Sequence, residues 1–421
     1  MERREGFEAP FVYIGPGAAD RLVDYLRLRG RPSVRIVADA NTWKAFGEAV
    51  EAAAQAAAID TARTVFEDSA LVADGRSVLR LLADEEEGRR LFLAVGSGTI
   101  TDIVRFVAHR AGREFLSLPT APSVDAYASS VAPLVVDGIK RTMRARPPAA
   151  VFADIDVLSS APRPMIRAGF GDMLCKFSAV ADWRLGALLW NEEYDAGIAA
   201  RSLAAAQTCA AAAEDIGAAG SAGVATLMKA LVDSGLCMAE AGHSRPASGA
   251  EHHFSHFWEM RLLQEGRAPV LHGLKVGVGT LIAARLWDRV RALSQDEARR
   301  AFAAAQPPSG EEERRAIAAA FGPLAPEIEA SQSRFLSLTP KDRAELVERA
   351  LDNWEEIRAI ARGVPDAKRT AALLEAAGCP LDPRRLGLGE AEIAQALASA
   401  HYLRDRFTVR KLALFLFGAG A

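Results

Sequence analysis

The first third of the chain alternates short apolar runs with longer segments of helical composition. Short runs rich in β-branched or aromatic residues predict the strands SVRIVADA, ARTVFED, LFLAV and EFLSLPT. The intervening segments predict the helices NTWKAFGEAVEAAAQAAA, SVLRLLADEEEGRR and GSGTITDIVRFVAHRAG, the last of which stops at Gly112. Strands separated by helices of this length form βαβ units, so we expect a parallel sheet with helices on both faces.

The pattern changes near residue 160. Pro162 and Pro164 interrupt the chain, and from Asp172 onward almost every segment is rich in Ala and Leu, as helices are. A chain of 421 residues with 50% hydrophobic content is too long for one ordinary core. We therefore predict an α/β domain over residues 1–160 and an all-α domain over residues 161–421.

Composition excludes several classes of function. The 51 basic and 54 acidic residues are scattered, so no basic stripe predicts a nucleic-acid partner. No charged N-terminal segment leads into an apolar stretch, and no apolar run reaches the roughly 18 residues of a membrane helix, so we expect a cytoplasmic protein without a membrane span. The four cysteines lack C-x-x-C spacing, which predicts reduced, mostly buried thiols.

A glycine-rich turn follows the third predicted strand in LFLAVGSGTITD. Gly96, Ser97 and Gly98 stand where a buried strand leads into a helix, and free amides there favour a phosphate. A tight turn without a ligand has the same composition, so this signal alone is weak. Asp39 ends the first predicted strand, where a carboxylate either binds a cofactor ribose or caps the next helix.

Hydroxyl and carboxylate side chains gather in LPTAPSVDAYASS, directly after another predicted strand. The carboxyl ends of parallel strands are where open α/β sheets bind ligands, which makes the polar residues of this loop candidates: Thr120, Ser123, Asp125, Ser129 and Ser130. A proline turn stabilised by local Ser and Asp hydrogen bonds would have a similar sequence.

Three of the seven histidines lie within EHHFSHFWEM. His252 and His256 are four residues apart and share one face of a helix, whereas His253 points elsewhere and is expected to be structural. His272 precedes a glycine-rich segment, and Asp172 lies in GFGDML, where a helix cap is the competing interpretation. One Asp and two His with an open position suit a catalytic divalent metal.

Taken in order, VGSGTITD, LPTAPSVDAYASS, GFGDMLCKFSAVADWRLG, SRPASGAEHHFSHFWEM and LHGLKVGVGT resemble the sn-glycerol-1-phosphate dehydrogenases, most closely their bacterial, AraM-like branch. LRDRFTVRKLA near the C-terminus is also similar to that branch. The wider superfamily includes glycerol dehydrogenase, iron-type alcohol dehydrogenases and dehydroquinate synthase. The resemblance implies that the α/β domain binds a dinucleotide and that the helical domain binds a metal and the substrate.

The resemblance also implies roles for individual residues. Asp172, His252 and His272 match metal ligands, and Asp172 also reaches the substrate. His256 and Asp125 match substrate-contacting positions, and with Asp172 they form the expected catalytic set. The expected cofactor-binding residues are Asp39, Gly96, Ser97, Gly98, Thr99, Ile100, Thr120, Ala121, Pro122, Ser123 and Ser129.

The implied activity is a metal-dependent interconversion of dihydroxyacetone phosphate and sn-glycerol 1-phosphate with NAD(P), a reaction of phospholipid metabolism. We expect one divalent ion, zinc or nickel, a homodimer, and an Arg245 that binds the substrate phosphate. A glycerol dehydrogenase-like polyol oxidoreductase is an alternative. A dehydroquinate synthase-like lyase is another, although SGAEHHFSH departs from the synthase pattern NFGHTxGHA. A metal- and nucleotide-binding regulator without catalysis is the remaining alternative.

Overall fold

Six parallel strands form the main sheet of the protein in a computed structural model, which describes residues 9–68, 71–84, 90–136 and 139–418. The strand order is β1-β8-β5-β4-β2-β3, and a separate antiparallel pair joins β6 to β7. The strands are β1 Phe11–Gly15, β2 Ser33–Asp39, β3 Asp60–Phe66, β4 Leu91–Gly96, β5 Phe115–Pro119, β6 Val131–Val136, β7 Ile139–Arg144 and β8 Ala150–Asp154.

Twenty-two α-helices complete the described chain. They are α1 Ala18–Leu28, α2 Ala40–Thr42, α3 Glu48–Ala56, α4 Gly75–Ala83, α5 Gly98–Arg110, α6 Ile155–Ser159, α7 Arg163–Leu174, α8 Lys176–Trp190, α9 Ala196–Ala211, α10 Ala213–Gly217, α11 Ser221–Ala241, α12 Ala250–Gln264, α13 His272–Ala292, α14 Gln295–Ala304, α15 Gly310–Phe321, α16 Ala325–Ser331, α17 Ser333–Leu336, α18 Pro340–Asp352, α19 Trp354–Arg362, α20 Ala367–Ala376, α21 Glu390–Ser399 and α22 Val409–Phe417. A π-helical turn covers Trp43–Gly47, and 3₁₀ turns cover Gly322–Leu324, Pro383–Leu386 and Ala400–Tyr402.

The chain forms two compact units, and the first contains the sheet. It comprises Met1–Met173 and Ala204–His243, and the second comprises Leu174–Leu203 and Ser244–Ala421. The last strand ends at Asp154, so the predicted change from alternating elements to helices does occur near residue 160. The two units are defined by which residues pack together, and their limits differ from the point where strands give way to helices. The domain boundary near residue 160 therefore stays a prediction.

Side chains on opposite faces of the sheet enter separate cores. On β4, Leu93 packs with α1 and α3, whereas Phe92 and Ala94 pack with α5 on the other face. This alternation follows from the two-residue period of a strand, and it explains why β4 is apolar throughout. The predicted parallel sheet with helices on both faces is confirmed.

Several strands were not predicted from the sequence. β1 and β8 pair at one side of the sheet, and β6 and β7 form a hairpin around the Asp-Gly dipeptide at residues 137–138, which lies outside the described residues. Asp-Gly between two such runs is a strong hairpin signal, so this hairpin could have been predicted from the sequence. The helix predicted over SVLRLLADEEEGRR covers Gly75–Ala83, and residues 85–89 lie outside the description.

Helix α11 is the most apolar long helix of the first unit. Its length and hydropathy alone would suffice for a membrane span, but 67% of its most apolar window is buried. It approaches the loop after β5 so closely that a Cβ on Gly235 would lie 2.8 Å from the Asp125 carbonyl oxygen. The helix therefore packs as a core helix of this unit.

The second unit contains helices and no strand among its described residues. Its core includes Trp258, Trp287 and Trp354, each fully buried. Helices α12 and α13 lie close together. The closeness is clear at Gly279, where a Cβ would stand 2.5 Å from the carbonyl oxygen of Glu251. The fold class predicted from the sequence, an N-terminal α/β part followed by a helical part, is confirmed. All four cysteines are buried and outside disulfides, also as predicted.

Candidate functional site

The predicted cofactor residues lie at the carboxyl ends of neighbouring strands in the first unit. Strands β5, β4 and β2 are adjacent, and Thr120, Gly96 and Asp39 stand at or directly after their ends. The Thr120 amide donates a hydrogen bond of 3.3 Å to the Gly96 carbonyl oxygen. This edge of an open parallel sheet is where dinucleotides bind in such folds.

The glycine-rich turn after β4 leads directly into α5. Ser97 is the N-cap of that helix, and its side chain makes no capping hydrogen bond. The first amides of α5, including those of Gly98 and Thr99, are therefore not satisfied by the cap, which favours an anion at this end of the helix. A Cβ on Gly96 would stand 2.6 Å from Cβ of Ile100, whereas one on Gly98 would stand 3.2 Å from Cγ2 of Val124.

Buried hydrogen bonds shape the loop after β5. Tyr127 donates to the carbonyl oxygen of Ala121 and lies 3.3 Å from Oγ of Ser123. Oγ of Ser129 donates to the carbonyl of Val131 at 3.2 Å. The local interactions expected of a proline turn are therefore present, and they leave the cofactor role of these side chains a prediction.

Arg105 on α5 fixes this loop from inside the unit. Its buried guanidinium donates to the carbonyl oxygens of Tyr127 and Val131, both at 2.9 Å, and pairs with Asp102 at 2.9 Å. A buried cation needs such partners, and they order the loop that carries Asp125. Sequence analysis missed Arg105, because the loop carbonyls that it binds are 21 or more residues distant along the chain.

Asp39 acts as a helix cap in the structure. Its Oδ1 accepts hydrogen bonds from the amides of Asn41 and Thr42 at 2.8 and 2.9 Å. The sequence had left this cap as the alternative to a cofactor role. The cap uses only one of the two carboxylate oxygens of Asp39.

Asp125 and Asp172, two predicted catalytic residues, meet within the first unit. The Asp125 amide donates a 3.0 Å hydrogen bond to Oδ2 of Asp172, which is fully buried on α7. Ser234 on α11 donates to Oδ2 of Asp125 at 2.9 Å. A Cβ on Gly169 would lie 1.9 Å from the Pro122 carbonyl oxygen, so only glycine allows α7 to approach this loop.

Three of the four predicted histidines cluster in the second unit. His252 and His256 on α12 and His272 at the start of α13 have ring centroids 5.2 to 5.8 Å apart. The i, i+4 spacing accounts for the first two, and the close packing of α12 on α13 brings the third. His253 lies elsewhere on α12, fully buried, with neither ring nitrogen hydrogen-bonded within the described chain.

Glu251 holds the ring of His252. Its Oε1 lies 2.9 Å from Nδ1 of His252 and accepts from the Gly249 amide at 2.6 Å, while Oε2 accepts from Ser178 at 2.6 Å. Burial by itself would raise the pKa of Glu251, but the hydrogen bonds from His252, Ser178 and Gly249 lower it below its usual value. An ionised carboxylate therefore fixes one ring nitrogen.

His256 contacts a second carboxylate. Its Nδ1 lies 3.3 Å from Oε2 of Glu259, whose Oε1 is 3.5 Å from Nζ of Lys275. Burial lowers the pKa of His256 to about 4 despite the hydrogen bond to Glu259, so the ring is neutral at pH 7. Glu259 follows His256 by three residues, a spacing that could have identified the pair in the sequence.

Arg245 and Cys175 belong to the same unit as the histidine cluster. Nε of Arg245 donates to Oε2 of Glu192 at 2.6 Å. Sγ of Cys175 is 3.9 Å from Nδ1 of His252, a proximity that the sequence does not reveal because the two residues are 77 positions apart.

Comparison with known proteins gives consistent matches. The profile of iron-containing alcohol dehydrogenases matches residues 13–162. A glycerol-1-phosphate dehydrogenase of Halalkalibacterium halodurans is 35% identical over 401 residues, covering 94% of this chain and 90% of that protein. The enzyme of the same name from Bacillus subtilis is 34% identical over 400 residues, with coverages of 94% and 89%.

Solved structures share the fold. A probable glycerol dehydrogenase from Sinorhizobium meliloti superposes with a TM-score of 0.63 at 19% identity, over 100% of this chain and 98% of that one. The glycerol dehydrogenase of Schizosaccharomyces pombe gives 0.62 at 16% identity, over 100% and 91%. An identity this low shows only that the fold is shared, whereas the more similar bacterial enzymes show the family. The chain thus belongs to the glycerol-1-phosphate dehydrogenase family.

Proposed function

We propose that this protein is an NAD(P)-dependent oxidoreductase that interconverts dihydroxyacetone phosphate and sn-glycerol 1-phosphate with the aid of a divalent metal. The main support is the cluster of His252, His256 and His272, whose rings converge in a member of this family. Relatives named for that activity align over 94% of the chain.

Asp172, His252 and His272 are the residues that would hold the metal. With Nδ1 of His252 facing the Glu251 carboxylate, Nε2 is the nitrogen suited to bind an ion, as in other carboxylate–histidine pairs. Asp172 precedes Cys175 by three residues, and Cys175 itself lies 3.9 Å from the His252 ring. Two imidazoles and one carboxylate suit a catalytic divalent ion. Such an ion lowers the pKa of an alcohol and stabilises its conjugate base.

His256 and Asp125 would handle the substrate. His256 is neutral at pH 7 and half-buried, so it can accept the hydroxyl proton while the carbon loses hydride. Its Nδ1 contact with Glu259 offers the next acceptor on a path to solvent. Asp125, held by Ser234, would orient a substrate hydroxyl.

The nicotinamide cofactor would lie along the carboxyl edge of β5, β4 and β2. The amides at the start of α5 suit its pyrophosphate, and the loop over residues 120–123 and Ser129 would border it. Oδ2 of Asp39 is the oxygen suited to a ribose hydroxyl, because Oδ1 caps α2. The cofactor supplies hydride transfer, and the protein supplies position.

We further propose zinc or nickel as the ion, and a cytoplasmic homodimer as the working form. Imidazole and carboxylate donors accept either metal. Elemental analysis of protein purified without chelators, and its mass in solution by light scattering, test these two points.

Steady-state kinetics test the reaction itself. We expect metal-loaded protein to oxidise NADH or NADPH with dihydroxyacetone phosphate far faster than with dihydroxyacetone, and to release sn-glycerol 1-phosphate, as chiral analysis would show. Preference for the unphosphorylated ketone would favour a glycerol dehydrogenase. Carbocycle formation without net change in nicotinamide absorbance would favour the synthase alternative.

A further inference from the structure

The segment that begins at Arg404 is tied to the loop before α12 by buried polar contacts. The guanidinium of Arg406 donates to Oγ of Ser244 at 2.8 Å and to the carbonyl oxygen of Ser248. The Phe407 amide donates to Oε1 of Glu192 at 2.9 Å. The 3₁₀ turn just before this segment packs against α12, the helix of His252 and His256. The C-terminal segment thus belongs to the surroundings of α12.

Three guanidinium groups belong to this segment and to the loop that it contacts: Arg404 and Arg406 on the segment, and Arg245 on the loop, where Glu192 accepts from both Arg245 and the Phe407 amide. Burial lowers the pKa of Arg406 to about 9, and the neighbouring charges of Arg404 and Arg245 lower it further. Glu192 and Glu251 are the acidic groups that oppose this effect. Glu192 is engaged by Arg245, and Glu251 by His252. The cluster therefore has more cations than available carboxylates.

Arg404 differs from its two neighbours in its contacts. Arg245 pairs with Glu192, and Arg406 donates to Ser244 and Ser248, whereas Arg404 makes no side-chain hydrogen bond or ion pair within the described chain. Its side chain is nevertheless largely withdrawn from solvent, and burial lowers its pKa. An incompletely solvated cation without a counter-ion is costly, so this position suits a group that receives an anion.

The segment that carries Arg404 is also fixed at the start of α12. The amide of Val409 and the amide of Ala250, the first residue of α12, each donate a 2.7 Å hydrogen bond to the Asp182 carboxylate. Arg404 therefore lies on a segment that is held against the helix of His252 and His256. A guanidinium fork matches two oxygens of a phosphate group.

We propose that Arg404 binds the phosphate of the three-carbon substrate, with Arg245 and Arg406 as neighbours that keep this pocket cationic. This assignment rests on the proposed function, because it concerns the substrate of the same site. It explains how machinery that would serve free glycerol equally well can select a phosphate ester.

The test compares Arg404→Leu and Arg404→Lys with wild type and with Arg299→Leu, a control at an exposed position on α14. We measure kcat/KM for dihydroxyacetone phosphate and for dihydroxyacetone, the inhibition constant of inorganic phosphate, and the KM of the nicotinamide cofactor. Arg404→Leu should lower kcat/KM for the phosphate ester by about 10- to 100-fold and weaken phosphate inhibition, while activity on dihydroxyacetone stays within about threefold. Arg404→Lys should restore part of the loss, and Arg299→Leu should match wild type.

Equal losses on both ketones would overturn the assignment, as would an unchanged ratio. A raised KM for the cofactor, with substrate preference intact, would move Arg404 to a cofactor phosphate and also overturn it. A wild type that prefers dihydroxyacetone would instead overturn the proposed function. In that case, phosphate inhibition that Arg404→Leu abolishes would still support an anion site at Arg404.

Discussion

Glu251 and His252 are adjacent in sequence and their side chains are in contact, which the spacing of residues on a helix does not predict. Neighbouring side chains on a helix point about 100° apart, so the sequence predicted the pair His252 and His256 and passed over Glu251. The start of α12 brings the Glu251 carboxylate back to Nδ1 of His252. The three clustered histidines were thus predictable from spacing and motif, but the group that orients one of them required three-dimensional structure.

We predict that Glu251→Gln weakens metal binding by about 10- to 100-fold, because an amide orients the His252 imidazole less well and makes it less basic. Competition with a chromophoric chelator measures the affinity directly. His253→Ala is the control, since His253 faces away from the cluster, and its metal content should equal that of wild type. Unchanged affinity in Glu251→Gln would show that the contact is only structural.

Two glycines in the turn before α5 are expected to serve different purposes. Gly96→Ala should lower the melting temperature, because its Cβ would stand 2.6 Å from Cβ of Ile100 inside the core. Gly98→Ala meets only Val124, at 3.2 Å, so it should unfold at a temperature closer to wild type yet raise the KM for NAD(P). Thermal unfolding and cofactor titration of both variants separate the roles. Equal cofactor affinity in Gly98→Ala and wild type would remove the pyrophosphate from this turn.

Helix α15 contains a carboxyl group whose ionisation should oppose folding. Burial raises the pKa of Glu313 from 4.5 to about 7, with its side chain against Tyr402. Because the pKa of Glu313 is higher in the folded than in the unfolded protein, its ionisation lowers the free energy of unfolding. This loss is absent below about pH 4.5 and grows to about 3 kcal/mol as the pH rises through 7. Glu313→Gln should therefore gain stability relative to wild type between pH 5 and 8, whereas exposed Glu311→Gln should not. Denaturant unfolding at both pH values measures the difference, and a pH-independent difference would refute it.

The central elements were predictable because their apolar runs are bounded by clear breaks. Strands β2 to β5 follow that rule. β1 and β8 were missed because they pair with each other, Phe11 opposite Ala150, and no local pattern in the sequence encodes a pairing over that distance along the chain. The approach of α7 to the loop after β5 depends on Gly169 meeting Pro122, a contact that no local pattern encodes.

Metal binding should stabilise the folded protein, because His252 and His272 lie on different helices and an ion would link them. We predict that removing the ion with a chelator abolishes turnover and lowers the melting temperature, and that zinc or nickel restores both. His272→Ala should show no rise in melting temperature on adding the same metal. A wild type indifferent to metal in both assays would contradict the proposed centre.

The order in which the chain leaves and rejoins its first unit has a consequence for biosynthesis. Residues 174–203 belong to the second unit, and the chain then returns to supply α11, whose Ser234 supports Asp125. A growing polypeptide cannot complete the sheet unit until about residue 243 has left the ribosome, and residues 174–203 must meanwhile wait for partners that are translated last. Chaperone demand should accordingly peak in that interval, and a stalled intermediate ending between residues 203 and 243 should be the species most exposed to proteolysis.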